Sequence, residues 1–182
     1  MFGFFKKKDK KKKPEIITLP EEVPAEETLD LNSASDAELP ALVFTPLSQR
    51  AEAFADIKDA LATFNTTEKN VFLTYWYESQ VLEGGLEFFL TEDSRKIAPF
   101  VGDALGTIGA HDHKMLYTKF LYGNGLDPEK VAAHGDYSEA EAARLSEEYP
   151  FVGFTDTFYE YPMIQDYLAV YIRAHLDELI KS

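Results

Sequence analysis

Residues 65–81 read NTTEKNVFLTYWYESQV, and this stretch decides the fold class. Asn65, followed three residues later by Glu68, forms a capping-box signal for the start of a helix. The residues that follow include many large apolar side chains: Val71, Phe72, Tyr75, Trp76 and Tyr77. So wide an apolar arc is typical of a helix that other elements surround. The stretch therefore predicts a central helix that runs to about Val81.

The segment before the central helix predicts another helix over residues 45–64. Thr45 followed by Pro46 indicates an N-cap with proline at the first helical position. Apolar residues then recur at steps of three and four: Leu47, Ala51, Phe54, Ile57, Leu61 and Phe64. On another face of this helix, Glu52, Asp56 and Asp59 are spaced by four and three, which would place neighbouring carboxylates roughly 5–6 Å apart. The spacing predicts an acidic stripe.

The segment after the central helix also has helical signals. Gly84 and Gly85 interrupt the pattern, and Gly109 stands where a helix over residues 96–108 needs its C′ glycine. Ser138 with Glu141 is a capping box for a helix that runs to about residue 148. No segment alternates as a strand does. The sequence predicts an all-α fold, a single compact domain of about seven helices.

Charge divides the chain into three zones. The 182 residues include 32 acidic and 18 basic side chains, a net charge of −14. Residues 1–13 carry seven lysines and one acid, or +6, which leaves residues 14–182 at −20. Residues 14–44 hold eight acids, no base and four prolines. We predict a disordered basic head at 1–13, a disordered acidic linker at 14–44 and an acidic helical domain at 45–182.

Composition narrows the chemistry that the chain can perform. There are no cysteines, which excludes disulfides, thiolate catalysis and cysteine-ligated metals and makes the cytoplasm the expected compartment. No apolar run approaches the length of a membrane span. His111, Asp112 and His113 suggest a metal-assisted enzyme, but alternate residues share a face only in a strand, and this pair opens a predicted helix. We therefore expect no catalytic residue, no metal site and no cofactor.

Two motifs carry a family resemblance. Residues 77–90 read YESQVLEGGLEFFL, and residues 104–110 read ALGTIGA. Together they resemble the bacterial DNA-mimic-protein family, whose helical C-terminal domain was long catalogued as one of unknown function. The family favours asparagine where this chain has Glu83. The resemblance marks a set of residues that we interpret as mainly structural: Gln80, Glu83, Gly84, Gly85, Phe89, Leu105, Ile108 and Gly109.

The resemblance implies an acidic, dimeric protein that occupies the DNA-binding face of a transcription regulator. The first functional hypothesis is accordingly a non-catalytic module that binds a basic protein, with Glu52, Asp56 and Asp59 as the contact stripe. The alternative for these three carboxylates is a solvated face that only keeps the protein soluble. Direct binding to nucleic acid is not expected of a chain with a net charge of −14.

The basic head suggests two further hypotheses. Its phenylalanines and lysines could dock on anionic lipid at the inner face of the membrane and make the protein a membrane-surface adaptor: Phe2, Phe4, Phe5, Lys6, Lys7 and Lys8. The +6 head could instead fold back on the acidic remainder and compete with a partner. A solvated tail is the third interpretation. An uncharacterised enzyme is the least favoured reading of the chain as a whole.

Overall fold

A computed structural model describes residues 31–179 of this chain, and within that range it contains helices and no strand. The ten α-helices follow one another along the chain: α1 (Leu39–Glu52), α2 (Ile57–Thr63), α3 (Thr66–Thr91), α4 (Ala98–Thr107), α5 (His111–Gly123), α6 (Pro128–Ala133), α7 (Glu139–Glu148), α8 (Phe151–Glu160), α9 (Ile164–Ala174) and α10 (Leu176–Leu179). A 3₁₀ turn (Asp93–Ile97) joins α3 to α4. The predicted all-α class is confirmed.

The central helix is α3, and it begins where the capping box predicted. The backbone N–H of Glu68 donates to the Asn65 side chain at 2.8 Å, and the Asn65 N–H donates to the Glu68 carboxylate at 2.8 Å. Arg50 of α1 reaches the same carboxylate at 2.7 Å. Helices α1, α4, α8 and α9 pack around α3. Tyr77 and Val81 are consequently fully buried at its centre.

The folded region begins earlier than the predicted boundary at residue 45. Helix α1 starts at Leu39, and Pro46 lies inside it rather than at its first position. Leu39, Val43 and Leu47 follow at steps of four and are all buried, so the apolar periodicity extends upstream of Thr45. The linker predicted for residues 14–44 is therefore wrong from residue 31 onward. Residues 1–30 lie outside the described part of the chain.

One arginine of α9 fixes the segment that leads into α1. Arg173 donates from Nε to the Asp36 carboxylate at 3.0 Å and from Nη1 to the Leu31 carbonyl at 2.9 Å, and it also bonds the Ala34 carbonyl. Leu31 itself is buried in the core. The Arg173 guanidinium thus supplies the hydrogen bonds that water would otherwise donate to the two backbone carbonyls of this segment.

Two segments whose apolar spacing predicts a continuous helix, residues 45–64 and residues 164–179, are each broken in the structure. The helix expected over residues 45–64 ends at Glu52, and α2 starts afresh because the Asp56 side chain accepts the Lys58 N–H at 2.9 Å as an N-cap. The C-terminal helix stops at Ala174, where the His175 ring bonds the Tyr171 carbonyl at 2.8 Å. A side-chain to backbone bond lies at each break, although the apolar spacing continues through both.

A buried carboxylate joins α3 to the start of α9. Glu78 is fully buried, and its Oε1 accepts the backbone N–H of Ile164 at 2.6 Å. Helix α9 has no side-chain cap of its own, so Glu78 takes that role from a distant part of the chain. Removal from water raises the pKa of Glu78 to about 7, against the lowering effect of its bonds to Ile164 and Gln165.

The raised pKa of Glu78 predicts a specific pH dependence of stability. The folded state binds a proton more tightly than the unfolded state, so this group's contribution to the free energy of unfolding falls as pH rises from about 4.5 to about 7. Glu78→Gln keeps an oxygen for the Ile164 N–H and removes the charge. Relative to wild type, the variant should gain about 3 kcal/mol in urea unfolding between pH 5 and pH 8.

The matched control for that measurement is Glu83→Gln, one turn further along α3 at an exposed position. Its unfolding free energy should follow the wild-type pH profile. Parallel profiles for wild type and Glu78→Gln would show that the buried carboxylate does not titrate as we expect.

Candidate partner-binding surface

The predicted acidic stripe does not lie on one helix. Glu52 ends α1, Asp56 caps α2 and Asp59 lies in the first turn of α2, with the turn at residues 53–56 between them. All three side chains are exposed, as is the intervening Lys58. The helical spacing on which the stripe was predicted is therefore wrong. That these carboxylates contact a partner stays a prediction.

The Gly84–Gly85 pair bends the central helix. Gly85 has φ +77°, a conformation that other residues rarely adopt, and Gly84 has φ −150°. A Cβ on Gly84 would lie 2.6 Å from Cβ of Phe88, and a Cβ on Gly85 would lie 3.0 Å from Oγ1 of Thr155 in α8. Glycine at both positions allows α3 to turn and allows α8 to approach its backbone.

Helix α7 lies beside this kink and is held there by the loop before it. Arg95, which is 2% exposed, donates to the His134 carbonyl at 3.2 Å and to the Glu92 carbonyl at 2.8 Å. Its guanidinium also lies over the Tyr137 ring, 5.7 Å from the centroid. The Ser138–Glu141 capping box then starts α7, as predicted. Arg95 thereby ties the entry of α7 to the end of α3.

Acidic residues of three helices lie in or next to the residues that make the kink contacts. Glu83 immediately precedes Gly84 and is exposed, and Glu87 accepts a hydrogen bond from the Ser146 hydroxyl of α7. Glu147 is the next residue of α7, and Asp156 follows Thr155, the α8 residue that faces Gly85. We call Glu83, Glu87, Glu147 and Asp156 the kink carboxylates.

Helix α7 adds to the negative charge of this region. Its ten residues include four acids and one base, Arg144, and none of them is buried. A helix with so little buried surface is held mainly by its ends and by contacts such as the Ser146–Glu87 bond. Most of its carboxylates thus face solvent.

The remaining motif residues lie in the core or in turns. Phe89 and Leu105 are fully buried, and Gln80 is half-buried. The Ile108–Gly109 turn ends α4 as a Schellman motif, in which the Ala110 N–H bonds the Leu105 carbonyl at 2.9 Å and Gly109 has φ +89°. The predicted C′ position of Gly109 is confirmed.

The histidines do not converge. His111 is exposed, whereas the neighbouring His113 is buried and its Nε2 lies 2.8 Å from the Pro162 carbonyl. Burial lowers the pKa of His113, which favours the neutral ring. His134 stacks on Tyr137, and His175 packs on Tyr171. Within residues 31–179, no group of three or more histidine, aspartate or glutamate residues is arranged to hold a metal ion.

The basic head lies outside the described residues, so its predicted lipid or self-contacts stay predictions: Phe2, Phe4, Phe5, Lys6, Lys7 and Lys8. Over the described range, none of the helices combines the length and the apolar character that a membrane crossing requires.

The sequence matches the model of a known protein family over more than half of its length. The model of the DMP19-like protein family matches residues 62–175, or 114 of the 182 residues. The chain belongs to this family. The assignment agrees with the DNA-mimic family that the motifs at residues 77–90 and 104–110 indicated. No curated protein and no solved structure matches the sequence.

The limits of the DMP19-like match separate the two acidic surfaces. The match begins within α2 and ends just after α9, so it leaves out Glu52, Asp56 and Asp59 and includes the four kink carboxylates. Sequence reasoning had marked Glu83 only as a motif residue, and it had not placed Glu87 or Asp156 on a surface. The signal available in the sequence was position. Glu83 and Glu87 lie next to Gly84 and Gly85, and Asp156 lies in α8, near the end of the matched span.

The kink predicts an unequal response to substitution at two glycines. Gly85→Ala forces an L side chain into a positive φ and against Thr155, which should lower the free energy of unfolding by about 1–3 kcal/mol. Gly123→Ala, at the end of α5, meets no atom within 4 Å and should cost nothing or stabilise slightly. Urea unfolding of both variants tests this. Equal changes in the free energy of unfolding would show that the kink does not require glycine at position 85.

Proposed function

We propose that this protein is a non-catalytic DNA mimic that binds the basic surface of a DNA-binding protein, such as a transcription regulator, through its kink carboxylates. The proposal is carried by four acidic residues on α3, α7 and α8 that lie in or next to the kink contacts, within the span matched by the DMP19-like family. That family is one of DNA mimics, which supports a binding role over catalysis.

The charge of the folded region supports this role. Residues 31–179 contain 25 acidic and 10 basic side chains, a net charge of −15. DNA-binding surfaces are built from lysine and arginine and gain much of their affinity by releasing counterions from phosphates. Exposed carboxylates can pair with the same lysine and arginine side chains. This pairing also releases the counterions that those side chains hold. Such binding weakens as salt concentration rises.

The fixed geometry at the kink is the reason to prefer these carboxylates over the predicted stripe. Glu87 is tied to Ser146, and the Gly85 backbone is packed against Thr155. Charges on packed helices lose little conformational freedom when a partner binds. Glu52, Asp56 and Asp59 surround a turn, and Asp56 already accepts a backbone hydrogen bond.

The proposal includes two features that the family resemblance and composition suggest. A homodimer would present two acidic surfaces, and light scattering would give twice the mass of one chain. The expected compartment is the cytoplasm, where DNA-binding regulators act.

The decisive experiment pairs capture with competition. Full-length protein is used to capture DNA-binding proteins from the native host, and a captured regulator is then bound to its own DNA. Wild-type protein should displace that DNA, and the affinity should fall steeply between 50 mM and 200 mM NaCl. The second protein tested is a variant that combines Glu83→Gln, Glu87→Gln, Glu147→Gln and Asp156→Asn. The concentration of this variant that displaces the DNA should be at least about tenfold higher than that of wild type.

The control combines Glu52→Gln, Asp56→Asn and Asp59→Asn, and it should displace the DNA as wild type does. Asparagine at position 56 remains a good N-cap, so α2 is kept. Displacement that does not depend on salt would contradict electrostatic mimicry. A loss in the control rather than in the kink variant would move the contact to the other acidic surface.

A further inference from the structure

An open groove runs beside α9 on the face away from the core. The turn between α4 and α5 forms one wall with Ile108 and Gly109, and α9 forms the other with Asp166, Tyr167 and Val170. Together with Pro162, these residues enclose about 500 Å³. Their lining is mainly apolar, and Asp166 is the one carboxylate among these six residues. The groove lies outside the kink carboxylates.

The described residues leave this apolar surface uncovered. Val170 is 72% exposed and Met163, at the start of α9, is 38% exposed, whereas Leu168 and Ile172 on the opposite side of the same helix are fully buried. Helix α9 therefore has one apolar face in the core and a second one in the groove. These exposed apolar side chains are available to an apolar occupant of the groove.

The chain enters the described structure at the end of this groove. Arg173, which bonds the Leu31 carbonyl, follows Val170 by three residues, so the two lie one turn apart on the same side of α9. The rise between them is about 4.5 Å. The first described residue is thus held by an arginine one turn along α9 from Val170, and thirty residues precede it in the sequence.

The length of the preceding segment suits a return to the groove. Phe5 lies 26 positions before Leu31, and 26 residues treated as a random coil have a root-mean-square end-to-end distance of roughly 25–30 Å. The groove lies well inside that distance from the Arg173 anchor. A tether of this kind gives its end an effective local concentration in the range of about 1 mM.

The chemistry of the head matches that of the groove. Phe2, Phe4 and Phe5 supply three aromatic rings, and Lys6, Lys7 and Lys8 follow them directly. Aromatic rings gain from leaving water for an apolar groove.

Carboxylates are available to the lysines at the groove's edges. Asp166 lines the groove, and Asp112 and Glu160 are exposed within three residues of its walls. The nearest cation on α5, Lys114, bonds Asp103 at 3.4 Å. Arg173 is paired with Asp36. The cations beside the groove thus have anionic partners, and its own carboxylates can receive the lysines of the head.

We propose that residues 2–8 dock in the α9 groove of their own chain, with phenylalanine rings between Ile108 and Val170 and lysines on Asp166 and its neighbours. The docked head places cationic charge on the acidic domain. A consequence for partner affinity, which rests on the proposed function, is that deletion of residues 2–13 tightens binding to a basic protein. Docking itself does not depend on what the partner is.

The absence of cysteine from the sequence allows a direct test on the full chain. The variant F4C/V170C places one thiol in the head and one in the groove. The control F4C/V152C places the second thiol on α8 at a valine of matched exposure, 76% against 72% for Val170. Both pairs are oxidised with oxidised glutathione in dilute solution, and the products are separated on a non-reducing gel and weighed by mass spectrometry.

Docking predicts that F4C/V170C forms an intramolecular disulfide about ten times faster than F4C/V152C, because the head spends most of its time in the groove. Adding Phe2→Ser and Phe5→Ser should remove most of that difference, and circular dichroism should show unchanged helix content in every variant. Equal rates for the two pairs would overturn the proposal. Disulfides between two chains would overturn it as well, and would assign the groove to a second copy.

Discussion

The kink at Gly84–Gly85 is the constraint on which the arrangement of this domain depends. Helix α3 contacts most of the other helices, so the direction in which it continues after the kink sets where α7 and α8 can pack. Gly85 can adopt φ +77° because it has no Cβ, and the same absence lets Thr155 approach. The kink carboxylates therefore lie on α3, α7 and α8 in or next to the residues that make these contacts.

A second constraint lies one and a half turns before the kink. Glu78 is a buried carboxylate that takes the place of a cap for α9, and α9 in turn forms one wall of the groove and carries the arginine that fixes Leu31. Burying a carboxyl group at a pKa of about 7 costs stability at neutral pH. The buried Glu78 carboxylate thus lowers the free energy of unfolding at neutral pH, and it also fixes the position of α9. Because α9 carries Arg173, the position of α9 also sets where the segment that begins at Leu31 is attached.

The distribution of charge relates the two proposals to each other. The folded region is strongly acidic, and the head concentrates seven lysines in thirteen residues. A surface that binds a basic partner is also a surface that attracts this head, because both interactions use the same carboxylate chemistry. Membership of the DMP19-like family concerns only residues 62–175. The head and α1 lie outside the matched span.

The sequence by itself determined the helical class, the start of α3 at the Asn65–Glu68 box, the start of α7 at Ser138 and the end of α4 at Gly109, because caps and glycine turns are written in neighbouring residues. The motifs also determined the family. Apolar spacing could not reveal that one helix ends at Glu52 and that Asp56 caps the start of another, since the periodicity continues across the turn between them. Only the tertiary structure decided that α7 and α8 contact α3 at the kink, that Glu78 caps α9, and that Arg173 of α9 fixes Leu31. These contacts join residues far apart in the chain, and no local pattern records them.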